Sequence, residues 1–336
     1  MKYSGSGISA RTNQIGVVSL AICVALYPAL FGQNAYWLSI GNFIAIYSIF
    51  AVATCYLFGY GRQILLSCSG FYALGAYGSA LLTTKLVHLN PWLAMVLTAF
   101  GAGVIAFVLS FVIFRLKHLF FAMVTMVFSF LVFDLLKESD GVTGGLSGIP
   151  GIPPLSIAGF RFDSEFKFYC LIWGAALIVL IVFMNIIDSK EGRALRAIGS
   201  DDIAAEASGV DTTKYLVRGF VISAVFTSIA GSFYAHYVRF IDPYLAGLES
   251  TVLIQIMLLI GGAETVWSGV VGAAIIVFLT EGLRAVVPLL GLEAGPYEKI
   301  FYGLMIMLVI IFAPQGLLPS IRNFFFPPKT PRADMT

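Results

Sequence analysis

Ten apolar runs follow one another along the chain, and most of them are long enough to cross a lipid bilayer as a helix. They cover approximately residues 15–32, 36–58, 63–84, 91–114, 119–136, 167–187, 215–237, 250–260, 266–287 and 298–312. A membrane-spanning helix needs about 20 mostly apolar residues, and its backbone polar groups are all satisfied within the helix. The sequence therefore predicts an all-α, polytopic transmembrane helical bundle of about ten spans. Because several runs are short, about eight or nine true spans also fit the pattern.

The scarcity of charge supports this class of protein. Only 11% of the 336 residues are charged and 59% are hydrophobic, with a mean hydropathy of +0.92. An average soluble domain is about 25% charged, so this composition excludes an ordinary soluble globule. The net charge of +2 is too small to indicate binding of nucleic acid.

The first and third runs each allow two interpretations. Run 15–32 fits a cleaved signal peptide or a retained helix, and we favour the retained helix because no small-x-small cleavage site follows it. The small residues of run 63–84, which are Ser67, Ser69, Gly70, Gly75 and Gly78, favour a helix in close contact with others over a helix that faces lipid, and they allow the helix to be interrupted.

Charge predicts which parts of the chain lie on each side of the membrane. Cytoplasmic loops carry an excess of Lys and Arg. If the tails 1–14 and 319–336 are cytoplasmic and ten spans separate them, 13 of the 20 Lys and Arg residues lie on the cytoplasmic side. The transmembrane domain is then 15–318, with segment 137–165 on the outer side and loop 188–214 in the cytoplasm.

The longest polar stretch, 188–218, has an internal pattern of its own. Its apolar set is Ala194, Leu195, Ala197, Ile198, Ile203, Ala204 and Ala207, and its polar set is Arg193, Arg196, Asp201, Asp202 and Glu206. We interpret it as two short amphipathic helices, the second capped by Ser200 or Asp201, with Gly199 and Gly209 ending them. The pattern fits helices on the membrane surface as well as helices that dock into a partner's groove.

No sequence motif for catalysis or ATP binding is present. The chain has no GxxxxGK[ST] loop, no HExxH and no GxSxG, which are the patterns expected of a phosphate loop, a zinc protease and a serine hydrolase. We therefore predict that the chain is not an enzyme and that it holds no cofactor and no metal.

Titratable and sulfur-bearing residues in or near the runs receive structural interpretations. The three histidines, His88, His118 and His236, lie at predicted span ends and are interpreted as interfacial side chains. The four cysteines, Cys23, Cys55, Cys68 and Cys170, are interpreted as inert core thiols. Glu281 and Arg284 are three residues apart and are expected to neutralise each other. Asp134, near the end of a run, is a functional candidate by default.

Several stretches, in order along the chain, resemble one family. They are 143–151, 192–209, 220–224, 230–236, 261–273 and 314–318. The stretch 192–209 (GRALRAIGSDDIAAEASG) is similar to the cytoplasmic coupling loop of permeases from branched-chain amino acid ABC importers of the LivM type. Two departures stand out: stretch 59–70 lacks the histidine that the family usually has there, and Glu264 replaces a small residue.

The resemblance implies an ABC importer permease fold, multi-pass in a bacterial inner membrane, with both termini cytoplasmic. It implies four kinds of partner: a LivH-like second permease, two cytoplasmic ATP-binding subunits that hydrolyse ATP, a periplasmic substrate-binding protein and the lipid bilayer. The residues expected to dock the ATPases are Gly192, Arg193, Arg196, Asp202, Glu206 and Gly209. No residue is assigned to the translocation path.

Three other functions compete with this expectation. A permease for urea or short-chain amides belongs to the same superfamily, and these residues do not distinguish its substrates from leucine, isoleucine and valine. A stand-alone secondary transporter or channel would place paired charges near the membrane midplane, where this sequence has few. An intramembrane enzyme would need a nucleophile with a base, or a set of metal ligands, inside the bilayer, and the sequence offers neither.

Overall fold

Helices account for most of the structure, a computed structural model that describes residues 10–31, 34–86, 88–114, 119–157, 160–262 and 265–290 and positions 297, 300, 301, 303, 304, 307 and 311. Its helices are α1 (Ala10–Phe31), α2 (Ala35–Cys55), α3 (Cys68–Leu81), α4 (Pro91–Ile113), α5 (Leu119–Glu138), α6 (Asp140–Thr143), α7 (Glu165–Asp188), α8 (Lys190–Ser200), α9 (Asp202–Ala207), α10 (Thr212–Val238), α11 (Leu248–Gly261) and α12 (Trp267–Val286). Two π-helical turns, Tyr56–Tyr60 and Leu82–Leu86, extend α2 and α3.

The long helices coincide with the predicted apolar runs. Within the described residues, six helical segments are long and apolar enough to cross a membrane: Ala35–Tyr60, Pro91–Ile113, Phe120–Glu138, Glu165–Asp188, Thr212–Val238 and Trp267–Val286. Two shorter apolar segments, Ile15–Leu30 and Leu248–Gly261, match the first and eighth runs. The predicted helical, polytopic fold is therefore confirmed.

Some predictions fall on parts of the chain that the structure does not describe. Residues 1–9, Glu264 and the tail 319–336 lie outside the described residues, and so does most of the tenth run. The described positions between 297 and 311 are helical.

The third run is interrupted, as its composition allowed. After the bend at Gly61, residues 62–67 are not helical, and α3 begins only at Cys68. Arg62 adopts a left-handed φ of 49°, a conformation that few residues other than glycine adopt. The chain thus turns at the end of α2 and re-enters the bundle as a non-helical segment before α3 begins.

Two helices begin inside the bundle, at the same height. The Ser69 hydroxyl, in the first turn of α3, lies 2.6 Å from that of Thr251 in the first turn of α11 and 3.2 Å from that of Ser129. Ser129 is ten residues from the start of α5, which is about 15 Å along the helix. The first turns of α3 and α11 therefore meet near mid-height, and the Gln255 side-chain amide donates to the Leu65 carbonyl at 2.8 Å close by.

Glycines let the central helices approach backbone to backbone. A β-carbon at Gly75 of α3 would overlap the Ser228 backbone of α10, and one at Gly231 of α10 would overlap Tyr72 of α3. On the other side of the bundle, a β-carbon at Gly269 of α12 would lie 2.7 Å from the backbone nitrogen of Val52 in α2. These contacts show that Gly75, Gly231 and Gly269 serve helix packing, which is typical of helices in lipid.

Segment 137–165 and the segment after α10 lie together at one end of the bundle. Strand β1 (Ile149–Pro150) pairs antiparallel with β4 (Phe240–Ile241), and β2 (Ser156–Ile157) pairs with β3 (Phe160–Arg161). A 3₁₀ turn, Pro243–Ala246, then leads into α11. We call this the strand end of the bundle, and the opposite end, which carries α8 and α9, the α8–α9 end.

Candidate functional site: the α8–α9 coupling surface

The predicted pair of short helices is present, and each begins at a side-chain cap. The Ser189 hydroxyl accepts the Glu191 backbone N–H at 3.1 Å at the start of α8. The Asp201 carboxylate accepts the Ala204 N–H at 2.9 Å at the start of α9. Such caps satisfy N–H groups that have no partner within the helix. The prediction of a cap at Asp201 is thereby confirmed.

Gly209 ends α9, whereas α8 does not end at Gly199. Gly209 has a φ of +83°, its N–H donates to the Glu206 carbonyl and the Val210 N–H donates to the Ala205 carbonyl. This is the Schellman arrangement that glycine favours. α8 continues through Gly199 to Ser200. A β-carbon at Gly199 would meet the Tyr60 carbonyl, so this glycine permits a close contact with the end of α2.

One face of α8 is buried against the bundle. That face comprises Gly192, Ala194, Leu195 and Ile198. Leu195 lies over Gly61 and Gly219, since β-carbons at these glycines would be 3.7 and 3.4 Å from its methyl carbons. Gly192 lies so close to Ile187 that a β-carbon would overlap its backbone. α8 is therefore packed on the α8–α9 end of the bundle at the point where the chain turns into the interrupted span.

Two of the predicted docking residues hold the corner between α7 and α8. The Arg193 guanidinium donates to the Asp188 carbonyl and that of Arg196 donates to the Ile187 carbonyl, each at 2.8 Å. Arg196 also lies 3.7 Å from the Asp188 carboxylate and 5.4 Å from the centre of the Tyr60 ring. The last carbonyls of a helix lack intrahelical partners and favour positive charge, which explains both contacts.

Two further polar contacts connect the short helices to α10. The Arg218 guanidinium forms an ion pair of 2.5 Å with Glu191 of α8. The Thr212 hydroxyl donates to the Glu206 carboxylate of α9 at 2.7 Å. Together with the buried face of α8, these contacts join α8 and α9 to the first turns of α10.

The outward face of α9 is partly apolar, which differs from the predicted single apolar set. Ala205 is buried, whereas Ala204, Ala207 and Ile203 are exposed, and Ile203 is exposed to 76%. α9 has six residues and contacts the bundle through one face only, so its other apolar side chains face outward. We define the coupling surface as the exposed side chains of Arg193, Ala197, Asp202, Ile203 and Glu206.

The six predicted docking residues occupy three different environments. Gly192 is buried, so it acts by letting α8 approach α7. Arg193 and Arg196 have exposed side chains whose guanidinium groups are engaged with α7. Asp202, Glu206 and Gly209 are exposed on α9 or just after it. Sequence reasoning missed the exposure of Ile203, because an isoleucine in an amphipathic pattern is assigned to the buried face.

The interfacial interpretation of the histidines is wrong for His236, which is only 1% exposed. Its Nδ1 lies 2.8 Å from the Pro153 carbonyl, and its Nε2 lies 2.7 Å from the Ser79 hydroxyl. The carbonyl can only accept, so Nδ1 carries a proton. Segment 137–165 folds back over the end of α10 and buries the ring, a long-range contact that local hydropathy does not indicate. His118 lies outside the described residues, and His88 is exposed.

The interpretations of the ion pair and of the cysteines have different outcomes. Glu281 and Arg284 form an ion pair of 3.2 Å, as expected. Cys55 and Cys68 are buried, but Cys23 and Cys170 are exposed on the bundle surface, so the core interpretation is wrong for that pair. Asp134 is exposed on α5. Within the described part of the chain, no group of three or more His, Cys, Asp or Glu residues is placed to hold a metal ion.

Comparison with known proteins identifies relatives over most of the chain. Residues 36–310 match the family described as the permease component of branched-chain amino acid transport systems. The chain is 26% identical to the high-affinity branched-chain amino acid transport system permease protein LivM of Escherichia coli and 25% identical to that of Salmonella typhimurium, in each case over 94% of this chain and 77% of the relative. It is 22% identical to the LivH permease of Salmonella typhimurium, over 81% of this chain and 91% of the relative. No solved structure matches.

Proposed function

This chain belongs to the family of permease components of branched-chain amino acid transport systems, and we propose that it is a membrane-spanning subunit of an ATP-driven importer of leucine, isoleucine and valine. The observation that carries the proposal is the family match over residues 36–310. Its apolar helices agree with a multi-pass membrane protein. The chain itself would hydrolyse no ATP, since separate partner subunits would do so.

The coupling surface is the part of the chain that would receive those ATPases. Ile203 is a large apolar side chain with charged neighbours, Asp202 and Glu206, and it is the most exposed residue of α9 that could fill a pocket. Binding energy at protein interfaces concentrates in such anchors, with polar residues around them. α8 contacts Tyr60 and Gly61 at the end of α2. A displacement of the short helices would therefore be transmitted directly to the interrupted span.

The remaining assignments complete the proposed assembly. The α8–α9 end would face the cytoplasm and the strand end the periplasm, in an inner membrane with both termini cytoplasmic. A LivH-like second permease would pair with this chain, two cytoplasmic ATP-binding subunits would dock at the α8–α9 end, and a periplasmic binding protein would deliver substrate to the strand end. Rocking of the two permeases would then switch access between the two sides.

Purification and uptake together test this function. The chain, extracted in mild detergent, should co-purify with a second permease and ATP-binding subunits. Vesicles containing that assembly and its binding protein should accumulate radiolabelled leucine only when ATP is present. Uptake of urea or acetamide instead of leucine would replace the proposed substrate class. Recovery of the chain alone, as a homo-oligomer that transports without ATP, would refute the importer.

The docking role is tested by Ile203→Asp. Asp at the second position of α9 is compatible with a helix start, so the fold should persist, whereas a charge in an apolar pocket should weaken docking by about 2 kcal/mol or more, about 30-fold in affinity. We expect ATP-dependent uptake and co-purification of the ATPases to fall together. The matched control for the co-purification is Val142→Asp, an apolar exposed position (51%) at the strand end, which should retain the ATPases. Equal behaviour of the two variants would contradict docking through α9.

A further inference from the structure

A cavity of about 270 Å³ opens at the strand end, between the segment that precedes α7 and the last turn of α10. Its lining residues are Phe162, Asp163, Ser164, Glu165, Phe168, His236, Tyr237 and Arg239. Its volume lies just below the range of pockets that hold drug-sized molecules, which suits a ligand the size of one amino acid. The lining combines carboxylates, a guanidinium and aromatic rings in one small space.

Glu165 presents a fixed carboxylate to this cavity. Its Oε2 accepts the Tyr237 hydroxyl at 2.7 Å and the Asn42 side-chain amide at 2.8 Å. Asn42 is fully buried, so the carboxylate is held by a rigid part of α2. Among the described residues, Oε1 of Glu165 accepts no hydrogen bond. That oxygen is therefore available to a positively charged donor in the cavity.

Arg239 presents the opposite charge from the end of α10. Its φ is 61°, and non-glycine residues in this region cluster at functional sites because the conformation costs free energy. One guanidinium nitrogen lies 3.5 Å from the Asp163 backbone carbonyl. The charge of Arg239 also contributes to the lowered pKa of the Asp163 carboxyl group, but among the described residues no carboxylate lies within ion-pair distance of the guanidinium. The planar guanidinium group can bind a carboxylate through two parallel hydrogen bonds.

The other titratable groups of the lining are already engaged. Asp163 forms an ion pair of 3.4 Å with Lys167, and its own backbone N–H, followed by this ammonium, lowers the pKa of its carboxyl group. Both ring nitrogens of His236 are hydrogen-bonded away from the cavity, to Ser79 and Pro153. This leaves Glu165 and Arg239 as the charged pair open to a ligand.

Aromatic rings form the apolar part of the wall. Phe168 stacks on Tyr237, with ring centres 4.5 Å apart, and Phe162 also lines the cavity, from the segment before α7. Phe168 is only 2% exposed and is covered by this stacking, so the apolar surface open to a ligand comes mainly from the partly buried rings of Phe162 and Tyr237. An aliphatic side chain would lose its contact with water against these rings.

We propose that this cavity binds the substrate as an α-amino acid zwitterion, with the ammonium group on Glu165, the carboxylate on Arg239 and the aliphatic side chain against the aromatic rings. The inference rests on the proposed function, and it names the place where the permease receives an amino acid at its strand end. It predicts that the ligand needs both charges: 4-methylpentanoate lacks the ammonium group of leucine, and 3-methylbutylamine lacks the carboxylate.

Equilibrium binding of radiolabelled leucine to the detergent-solubilised permease–ATPase complex, without the binding protein, tests the site directly. The wild-type complex should bind leucine, and valine should compete whereas 4-methylpentanoate and 3-methylbutylamine should not. Glu165→Gln keeps the shape and can still accept from Tyr237, and Arg239→Asn suits the left-handed conformation. Each should weaken leucine binding at least about 10-fold, because hydrogen bonds to charged groups are the stronger class.

The control variant is Arg161→Gln, which removes a charge from an exposed residue next to the cavity segment that does not line the cavity, and it should bind leucine as the wild type does. A second readout separates a lost charge from a misfolded chain. Glu165→Gln should narrow the preference for leucine over 4-methylpentanoate while the complex elutes unchanged in gel filtration.

Uptake by the wild-type assembly keeps the two hypotheses apart. If wild-type vesicles do not accumulate leucine, the proposed function fails. If they do, and Glu165→Gln and Arg239→Asn bind and transport leucine with the KM of Arg161→Gln, the cavity is not the substrate site and the function stands. Equal competition by 4-methylpentanoate in the wild type would also overturn the zwitterion site.

Discussion

Replacing Gly269 by alanine should force α12 away from α2. The new β-carbon would lie 2.7 Å from the Val52 nitrogen and 3.0 Å from the Ala51 carbonyl carbon. These are backbone atoms that cannot rotate aside, so the helices must separate by about 0.7 Å to reach ordinary contact near 3.4 Å. A gap of this size forfeits about a quarter to a half of each van der Waals contact along the interface, and overpacking of this kind costs about 1–3 kcal/mol.

A second glycine in α12 provides the reference. A β-carbon at Gly282 would meet nothing within 4 Å, so Gly282→Ala should give only the helix-propensity gain of about 1 kcal/mol. The same gain applies to Gly269→Ala and cancels in the difference between the two variants. Gly269→Ala should therefore be less stable than Gly282→Ala by about 1–3 kcal/mol, or about 2–12 °C in midpoint temperature.

The assay is thermal unfolding in one mild detergent, followed as the loss of the monodisperse gel-filtration peak after heating at a fixed rate. A fixed rate is needed because unfolding of a membrane protein is often irreversible. Gly269→Val should lower the midpoint further, since two more methyl groups enter the same contact. Equal midpoints for Gly269→Ala and Gly282→Ala would show that the α2–α12 approach is not tight, and the packing argument would then be wrong.

Two further changes test the α7–α8 corner and the junction of interrupted helices. Arg196→Gln removes the bond to the Ile187 carbonyl, so backbone amides of α8 should exchange hydrogen several-fold faster by mass spectrometry, whereas Asp202→Asn should leave that rate unchanged. Ser69→Ala removes contacts to the Ala246 carbonyl and the Thr251 hydroxyl. It should lower the free energy of unfolding by about 1–2 kcal/mol, which the same measurement of the thermal midpoint would detect. An unchanged midpoint would mean that this junction does not contribute to stability.

The spans were predictable because length and apolar content alone decide which segments cross a bilayer. The interruption of the third span was indicated by Ser and Gly near its start, but the partner of that break was not. Ser69 and Thr251 are 182 residues apart in the chain, and no local pattern connects them. The interfacial prediction for His236 was wrong for the same reason, because its partner Pro153 lies in a distant segment that the hydropathy pattern identifies only as a loop.

The ends of α9 were predictable, because caps are local, whereas α8 continues past the predicted end at Gly199. Asp201 and Gly209 form hydrogen bonds with backbone groups only a few residues away, so the local sequence is enough to predict these caps. The burial of α9 was not predictable. Its orientation depends on α10, through the contact between Thr212 and Glu206, and on how far the preceding turn carries the chain.

Charge is a poor guide to which residues of such a loop meet a partner. α7 ends with carbonyls that have no partner in the helix, and Arg193 and Arg196 bind two of them. Which arginines are used in this way depends on where α7 stops, and sequence gives that position only to within one or two residues. The apolar side chain of Ile203 cannot bind helix carbonyls in this way. Its exposure leaves apolar area in water that a partner could cover at about 25 cal/mol per Å², so we expect Ile203→Asp to affect docking more than loss of either arginine's charge.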